Sequence, residues 1–479
     1  MPDYDFDAVI IGAGPNGLAA AITLAQAGCK VAVLEAKDTI GGGTRTLELT
    51  LPGFQHDICS AIHPMAMSSP LFRELPLERY GLEWIQPGIP LAHPLGEDRA
   101  AVLDVSIEAT AASLGADAER YQKLIEPLVK RWETIEKTIL YPFNIPRDPF
   151  FMAYFGIHAV LPARWLAQWR FKTEAARTFI AGLAGHSVLP MDYPASAAYA
   201  LVLAIVGHRV GWPLPKGGSQ QITEAMAAYL IDLGGTISCG RPVRSMEDLP
   251  RARAYLFNTS PRQMLDIAGD RLPQRYHRHL GRYRHGPGVF KIDWALDGPV
   301  PWLAEDCHRA GTIHIGGSLD EITASERAMW MKATTRPHNQ QPYLILAQQS
   351  LFDPTRAPDG KHTLWGYCHV PNGSTVDMTD IIEDQIERYA PGFKTRILAR
   401  HTLNTRQFEQ YNMNYIGGDI VGGVQDLTQL FTRPSIRLRP YKTPAPDIFI
   451  CSASTPPGGG VHGMSGYHGA RAALATALR

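Results

Sequence analysis

The sequence predicts an α/β chain in which a domain of parallel strands and crossover helices is joined to a second domain of mixed or antiparallel sheet plus helices. Three features predict it. A strand–glycine loop–helix–strand unit occupies the first 35 residues, a second glycine-rich loop feeding a helix lies at 454–478, and strand-like runs alternate with helices from about 275 to 440. At 479 residues the chain is long enough for about three domain-sized units. A core of that size needs no disulfide or structural metal to hold it.

Ala8-Val9-Ile10-Ile11 is a short continuous apolar run and reads as a buried strand. It ends in Gly12-Ala13-Gly14-Pro15-Asn16-Gly17. In such a loop Gly12 permits the tight turn, Gly14 lets the backbone approach a pyrophosphate, and Gly17 lets helix and strand pack closely. Leu18 to Ala27 predicts the helix, stopped by Gly28. Its first N–H groups and partial positive charge suit phosphates. Lys30 to Leu34 predicts a second strand with Glu35 at its tip, where a carboxylate accepts from ribose hydroxyls and repels a 2′-phosphate. The unit is therefore Rossmann-type and dinucleotide-binding, with NADP disfavoured.

Ala36 and Lys37 lead into Gly41-Gly42-Gly43-Thr44-Arg45, which adds backbone N–H groups and a cation near the same pyrophosphate. From Asp7 to Thr46 the chain resembles the two-part FAD signature shared by monoamine oxidases, phytoene desaturases and related flavoproteins. At the far end, 447–451 predicts a strand running into Ser454-Thr455-Pro456-Pro457-Gly458-Gly459-Gly460-Val461-His462-Gly463-Met464, then a helix to about Leu478. This resembles the C-terminal motif of phytoene-desaturase-like proteins. A helix dipole aimed at the flavin pyrimidine edge would stabilise the anionic reduced flavin. In the middle, 215–219 predicts a loop leading a helix through Leu233, followed by short strands at 236–239 and 241–246 and a run from Ala254 to Asn258. The resemblance extends along most of the chain and is strongest for the phytoene-dehydrogenase-like (pyridine nucleotide-disulfide oxidoreductase domain-containing protein 2-like) subgroup.

That resemblance implies FAD as cofactor and a glutathione-reductase-like, amine-oxidase-type FAD domain built from 1–75, 215–270 and 440–479. The substrate domain then comprises 76–214, which is helix-rich, and 271–439. Cofactor contacts are implied at the two glycine loops (Gly12 to Gly17 and Gly42, Gly43, Thr44, Arg45), at Glu35, Ala36 and Lys37, and at Ala61, Ile62 and His63. Further contacts are implied at Val243 beside the adenine, at Asn258 and Thr259 beneath the dinucleotide, and at Gly460, Val461 and Met464.

Within the second domain, 117–139 predicts a helix and 288–296, 312–315, 343–349 and 362–369 predict strands, with a helix at 378–389. The stretch 148–171 is aromatic and apolar with Arg147, Arg164 and Arg170 interspersed; it suits a core helical pair capped by arginines, or an interfacial patch where a lipid-soluble substrate enters. The first of these is the expectation. Lys+Arg and Asp+Glu both number 46, so no basic field invites nucleic acid. No two of the six cysteines form a C-x-x-C, which excludes a redox dithiol and the usual zinc spacing; no metal site is expected. Free thiols and an N-terminus without a basic region point to a cytoplasmic chain, peripheral to a membrane at most.

A flavin accepts two electrons as a hydride, so the protein supplies position and electrostatics. His63 and His462 are the catalytic candidates, with the Tyr411–Tyr415 pair beside them. Three readings follow: an FAD-dependent dehydrogenase or desaturase of an apolar, isoprenoid-like substrate; a flavin amine oxidase with an aromatic cage drawn from Tyr411, Tyr415 and Tyr467; and an FAD-holding protein that works by binding a partner. The expected electron acceptor is oxygen, a quinone or a protein carrier, because no second dinucleotide fingerprint is present.

Overall fold

The computed structural model describes residues 4–96, 98–142, 146, 148–333 and 335–479; Arg147 lies outside them. Five parallel strands form one sheet in the order Ile448–Ile450, Ala252–Phe257, Phe6–Ile11, Val31–Leu34, Thr236–Ser238. Side chains alternate across a strand, and the middle of this sheet is covered on both faces, so Val31–Leu34, Ile448–Ile450 and the run 8–11 read as unbroken apolar segments. Ala8, Ile10, Val33 and Leu256 pack under helices Pro15–Gln26, Gln220–Asp232 and Met464–Leu474. Val9, Ile11, Phe257 and Ile450 pack with Met264, Ala268 and Leu280 of helices Pro261–Ala268 and Gln274–Leu280 on the opposite face.

Seven strands form the second sheet, in the order Ile397–Leu403, Gly288–Leu296, His362–Val370, Leu344–Ala347, Ala310–Ile315, Ile89–Pro94, Ala100–Leu103. All its pairings are antiparallel except Ala310–Ile315 with Ile89–Pro94, so it is mixed. One face (Ile292, Trp294, Ile313, Leu346) packs against helix Thr379–Glu387. The other (Leu91, Leu103, Ile345, Trp365, Tyr367) meets a helical layer including Ala118–Lys130, Glu174–Gly185 and Ser196–Val210.

The structure departs from the sequence-based expectation in four places. The helix-rich stretch 76–214 also contributes two strands to the second sheet, Ile89–Pro94 and Ala100–Leu103. The helix expected over 117–139 breaks at Arg131 (φ −117°) into Ala118–Lys130 and Trp132–Ile139. No strand spans 241–246; Arg241 donates its N–H to the Glu35 carbonyl and the chain ends in a turn at Met246–Asp248. The aromatic stretch forms helices Pro149–Ala159 and Ala163–Arg170, bent by 100°. Phe151, Phe155 and Leu166 are core, but Phe150 is 88% exposed, Trp165 60% and Trp169 58%, so the pair is not simply a core element. No single helix among the described residues is long and apolar enough to cross a membrane.

The first and last helices pack closely because Gly466 lies directly on the backbone of Asn16: a Cβ there would fall inside the Asn16 carbonyl oxygen. Gly466→Ala should force the two helices apart and destabilise the protein by about 1–3 kcal/mol, seen as a lower thermal denaturation midpoint.

Candidate functional site

The carboxyl ends of the parallel strands open into a cavity of about 780 Å³ shared by both domains. Its polar end is built by the first glycine loop. Gly12 adopts φ +101°, which a side chain would disfavour, and a Cβ on Gly17 would collide with the Gly12 carbonyl. Helix Pro15–Gln26 begins at Gly14 with no side-chain cap and no acidic residue in its first turn, so its positive end is free for an anion. Asn258 donates from Nδ2 to the Gly12 carbonyl at 3.3 Å and holds the turn from below.

Glu35 is buried and pre-set. Its Oε2 accepts the Ala13 N–H at 2.8 Å, and its Oε1 accepts the Lys37 N–H at 3.0 Å and Arg45 Nη2 at 3.3 Å. The rest of the Arg45 guanidinium donates to the Thr39 carbonyl, the Gly42 carbonyl and the Tyr411 hydroxyl. Arg45 therefore staples the second glycine loop to Glu35, and its charge reaches the cavity as a field. A Cβ on Gly42 would stand 3.2 Å from Gly14 Cα, so the two glycine loops meet with no side chain between them. An uncapped helix N-terminus, a carboxylate at the ribose position and two side-chain-free loops fit the dinucleotide of FAD.

Of the residues implied to touch that cofactor, Gly12, Gly14, Pro15, Asn16, Glu35, Ala36, Lys37, Gly42, Gly43, Thr44, Arg45, Ala61, Ile62, His63, Val243, Asn258, Thr259, Gly460 and Val461 all line the cavity. Four candidates do not. Ala13 and Gly17 act through the backbone, as described above. Met464 points into the apolar core and its N–H is taken by His462 Nδ1 at 3.1 Å. His462 is buried behind the glycine loop, where burial lowers its pKa to about 4, and it serves the start of the last helix and not the cavity.

The other end of the cavity is apolar. Leu203, Trp212, Ile345, Trp365, Tyr367 and Ile420 line it, together with His63, His186 and Thr312. Trp365 and Tyr367 stand edge to face with centroids 5.2 Å apart. Among the described residues the only carboxylate lining the cavity is Glu35, at the opposite end. Tyr411 and Tyr415 also line it, whereas Tyr467 packs in the core, so the three do not assemble into one cage. The Tyr411 hydroxyl donates to the Gly42 carbonyl at 2.7 Å. Burial pushes the Tyr415 hydroxyl well above its usual range and the neighbouring Cys59 thiol to about 11, so both stay neutral.

His63 reaches the cavity from a rigid support. Its Nε2 pairs with Ser219 Oγ at 2.8 Å and its Nδ1 lies 3.4 Å from Ser60 Oγ. Burial lowers its pKa to about 4, so the imidazole is neutral at pH 7. Behind it, Asp57 Oδ1 accepts the Ser219 N–H at 2.8 Å and Thr46 Oγ1 at 2.7 Å, while Oδ2 pairs with Arg356 at 2.6 Å. Burial alone would raise the Asp57 carboxyl, but the Arg356 charge and these hydrogen bonds outweigh it and hold its pKa below the ordinary carboxylate value.

The sequence patterns single out no residue of the apolar end beyond His63 and the tyrosines. Trp365 and Tyr367 stand two apart in a strand and so share a face, but only the sheet packing says that this face meets the cavity. His186 has no local signal at all: it follows the last turn of helix Glu174–Gly185 and enters the cavity because that helix crosses the second sheet.

A family profile described as an NAD(P)-binding Rossmann-like domain matches residues 10–75. The chain is 35% identical to a limonene dehydrogenase component from Castellaniella defragrans, over 97% of this chain and 94% of that protein. It is 25% identical to pyridine nucleotide-disulfide oxidoreductase domain-containing protein 2 of Mus musculus, over 97% and 93%. A solved putrescine oxidase variant superposes with a TM-score of 0.63 at 18% identity, covering 99% of this chain and 98% of that one, which shows a shared fold.

Two outcomes follow from this geometry. A Cβ at Gly14 would stand 3.3 Å from Asn258 Nδ2, close enough to fit with small shifts, but the branches of a valine would occupy the phosphate approach. Gly14→Val should fold and be isolated without flavin, as its absorbance spectrum would report. Because the Asp57 pKa is depressed by folding, its stabilisation is present at neutral pH and lost as pH falls below about 4 towards the folded value. Arg356→Met should remove about 3–5 kcal/mol by leaving that carboxylate buried and unpaired. Denaturant titrations at pH 7 and pH 4 should show a smaller gap between variant and wild type at the lower pH.

Proposed function

Because the chain belongs to the phytoene-desaturase-like family of FAD-dependent oxidoreductases, we propose that it is a dehydrogenase that takes a hydride from an apolar, isoprenoid-like hydrocarbon. The observation that carries this reading is the composition of the far end of the cavity: aromatic and aliphatic walls, neutral polar groups, and no carboxylate to pair with an ammonium. An amine substrate binds as a cation or must be deprotonated, and a site built to hold the cation would place an anion nearby. The name of the 35%-identical relative, a limonene dehydrogenase component, supports the same class of substrate.

The bound flavin supplies the two-electron acceptor. The chain's own residues do the rest. Trp212, Ile345, Trp365 and Ile420 exclude water and orient an apolar skeleton by shape. His63, held neutral between Ser60 and Ser219, offers the cavity a polar edge without placing a charge beside a hydrocarbon. Electrons then leave to oxygen, a quinone or a protein carrier. The exposed face of Phe150, Trp165 and Trp169 gives the protein a surface suited to resting against lipid, from which such a substrate partitions.

Anaerobic addition of limonene and longer apolar alkenes to the flavin-loaded protein should bleach the flavin bands, whereas putrescine and other amines should leave them unchanged. Bleaching by an amine, with peroxide formed when air is admitted, would replace this reading with the amine-oxidase one.

A further inference from the structure

One face of the dinucleotide-binding domain carries positive charge that its own chain leaves unpaired. The runs 271–292 and 427–446 contain no Asp or Glu. Helix Gln274–Leu280 buries Tyr276 and Leu280, one turn apart, beneath the parallel sheet. Its other side turns outward, so Arg275, Arg278 and, just past the helix, Arg282 line an open depression together with Arg437. Arg437 is held over the Tyr276 ring, 5.6 Å from its centroid. The carboxylates that bracket the second run are taken: Asp426 pairs with Arg284 at 2.8 Å and Asp447 with Arg271 at 2.9 Å. Among the described residues, none of the four arginines that line the depression has a carboxylate within ion-pair distance.

The same face exposes apolar side chains. Arg433 and Ser435 are buried, and the chain that follows, Ile436-Arg437-Leu438-Arg439, is exposed throughout. Ile436, which lines the depression, is 75% exposed and Leu438 95%. Uncovered apolar side chains among unpaired arginines match the composition of a protein interface. The depression also backs onto the reaction cavity. Arg282 lines the one and His285 the other, and the chain between them spans at most about 11 Å. In this wall the Tyr283 hydroxyl donates to the Gly422 carbonyl at 2.6 Å, and Arg433 Nη1 donates to the Ala453 carbonyl at 3.2 Å. Gly422 and Ala453 both line the cavity, so one layer of side chains separates the two spaces.

We propose that this face is the docking surface for an acidic electron-carrier protein, which draws electrons from the cavity across the wall at Tyr283 and Arg433. The inference rests on the dehydrogenation proposed above, which needs an outlet for two electrons. The substrate gives a hydride to the flavin and a proton to water. Two one-electron carriers then dock in turn, each takes one electron, and the hydrogen of the hydride leaves as a second proton. Charge selects the class of partner: a carrier with carboxylates around its redox centre is drawn to Arg275, Arg278, Arg282 and Arg437, while Ile436 and Leu438 bury against it. Steered encounter over a small area suits a partner that must leave after each electron. A lipid or nucleic-acid partner would gain nothing from the thin wall, whereas a carrier needs it.

Two soluble carriers of opposite charge test this on the flavin-loaded protein: plastocyanin, which is acidic, and cytochrome c, which is basic. Binding of fluorescently labelled plastocyanin is read by anisotropy and involves no electron transfer. It should weaken about tenfold or more as salt rises from about 0.01 M to about 0.15 M and the Debye length falls from about 30 to about 8 Å. Cytochrome c should not bind. The double variant Arg278→Glu/Arg437→Glu should lose about tenfold or more in affinity, and Leu438→Ser should weaken binding without altering its salt dependence. The flavin is then reduced by light under anaerobic conditions, so no organic substrate is needed. The rate of plastocyanin reduction should follow its affinity in every variant, with flavin content and thermal midpoint unchanged. Equal affinity of wild type and double variant, tighter binding of cytochrome c, or plastocyanin that binds but is reduced no faster than cytochrome c would each overturn the docking surface. Binding of phosphatidylserine vesicles or a DNA duplex, or self-association, that is lost in the double variant while plastocyanin binding is not would give the face to that occupant and overturn the carrier. Reduction of plastocyanin with bleaching by no hydrocarbon would keep the carrier surface and remove the substrate class; a protein isolated without flavin would remove both.

Discussion

Three chain segments meet at the first glycine loop more closely than side chains would allow, and the architecture depends on that approach. Gly17 rests on the Gly12 carbonyl, Gly42 on Gly14, and Gly466 on the Asn16 backbone. The second glycine loop and the last helix are thereby drawn against the same turn. This leaves the helix N-terminus at Gly14 uncapped and facing the cavity, since nothing larger than hydrogen stands in the way. Phosphate binding and chain closure are two consequences of one steric fact.

The two domains are joined by buried charge as well as by apolar contact. Asp57, from the strand pair beside the glycine loops, accepts from Arg356 and Gln349, which belong to the second domain. Asp353 in turn accepts the Gly217 N–H at 2.7 Å. A few residues along the second sheet, Lys291 pairs with Asp293, with His56 and His401 close by. Charges at this depth tolerate little misplacement, because separating a partner leaves an ion without water. They fix the angle between the domains and, through Ser219 and His63, the edge of the cavity.

The cavity has opposite chemistry at its two ends, and each end comes from a different kind of structure. Backbone N–H groups and one carboxylate make the polar end, so its properties follow from loop geometry. Side chains from a sheet face, helix Ser196–Val210 and adjoining loops make the apolar end, where His63, His186 and Thr312 are the polar exceptions. An apolar wall at that end keeps water out, so a bound molecule is held there by shape and by a few neutral polar groups.

The dinucleotide-binding half was legible in the sequence because its function is carried by local backbone conformation. Gly12, Gly14, Gly17 and Glu35 lie close together in the chain, and their spacing alone prescribes a turn, a helix start and a ribose acceptor. The strand at 288–296 was legible from local alternation, with Phe290, Ile292, Trp294 and Leu296 apolar and Lys291 and Asp293 between them. Met464 and His462 stand behind the cavity lining because a motif places the chain but does not say which way a side chain points; packing turns one into the core and ties the other to the helix start. The entry of His186 and the aromatic face of Trp365 and Tyr367 are decided only by sheet register and by the crossing of helices over it. Those contacts join residues far apart in the chain, and no local preference for strand or helix encodes which distant partner a side chain will meet.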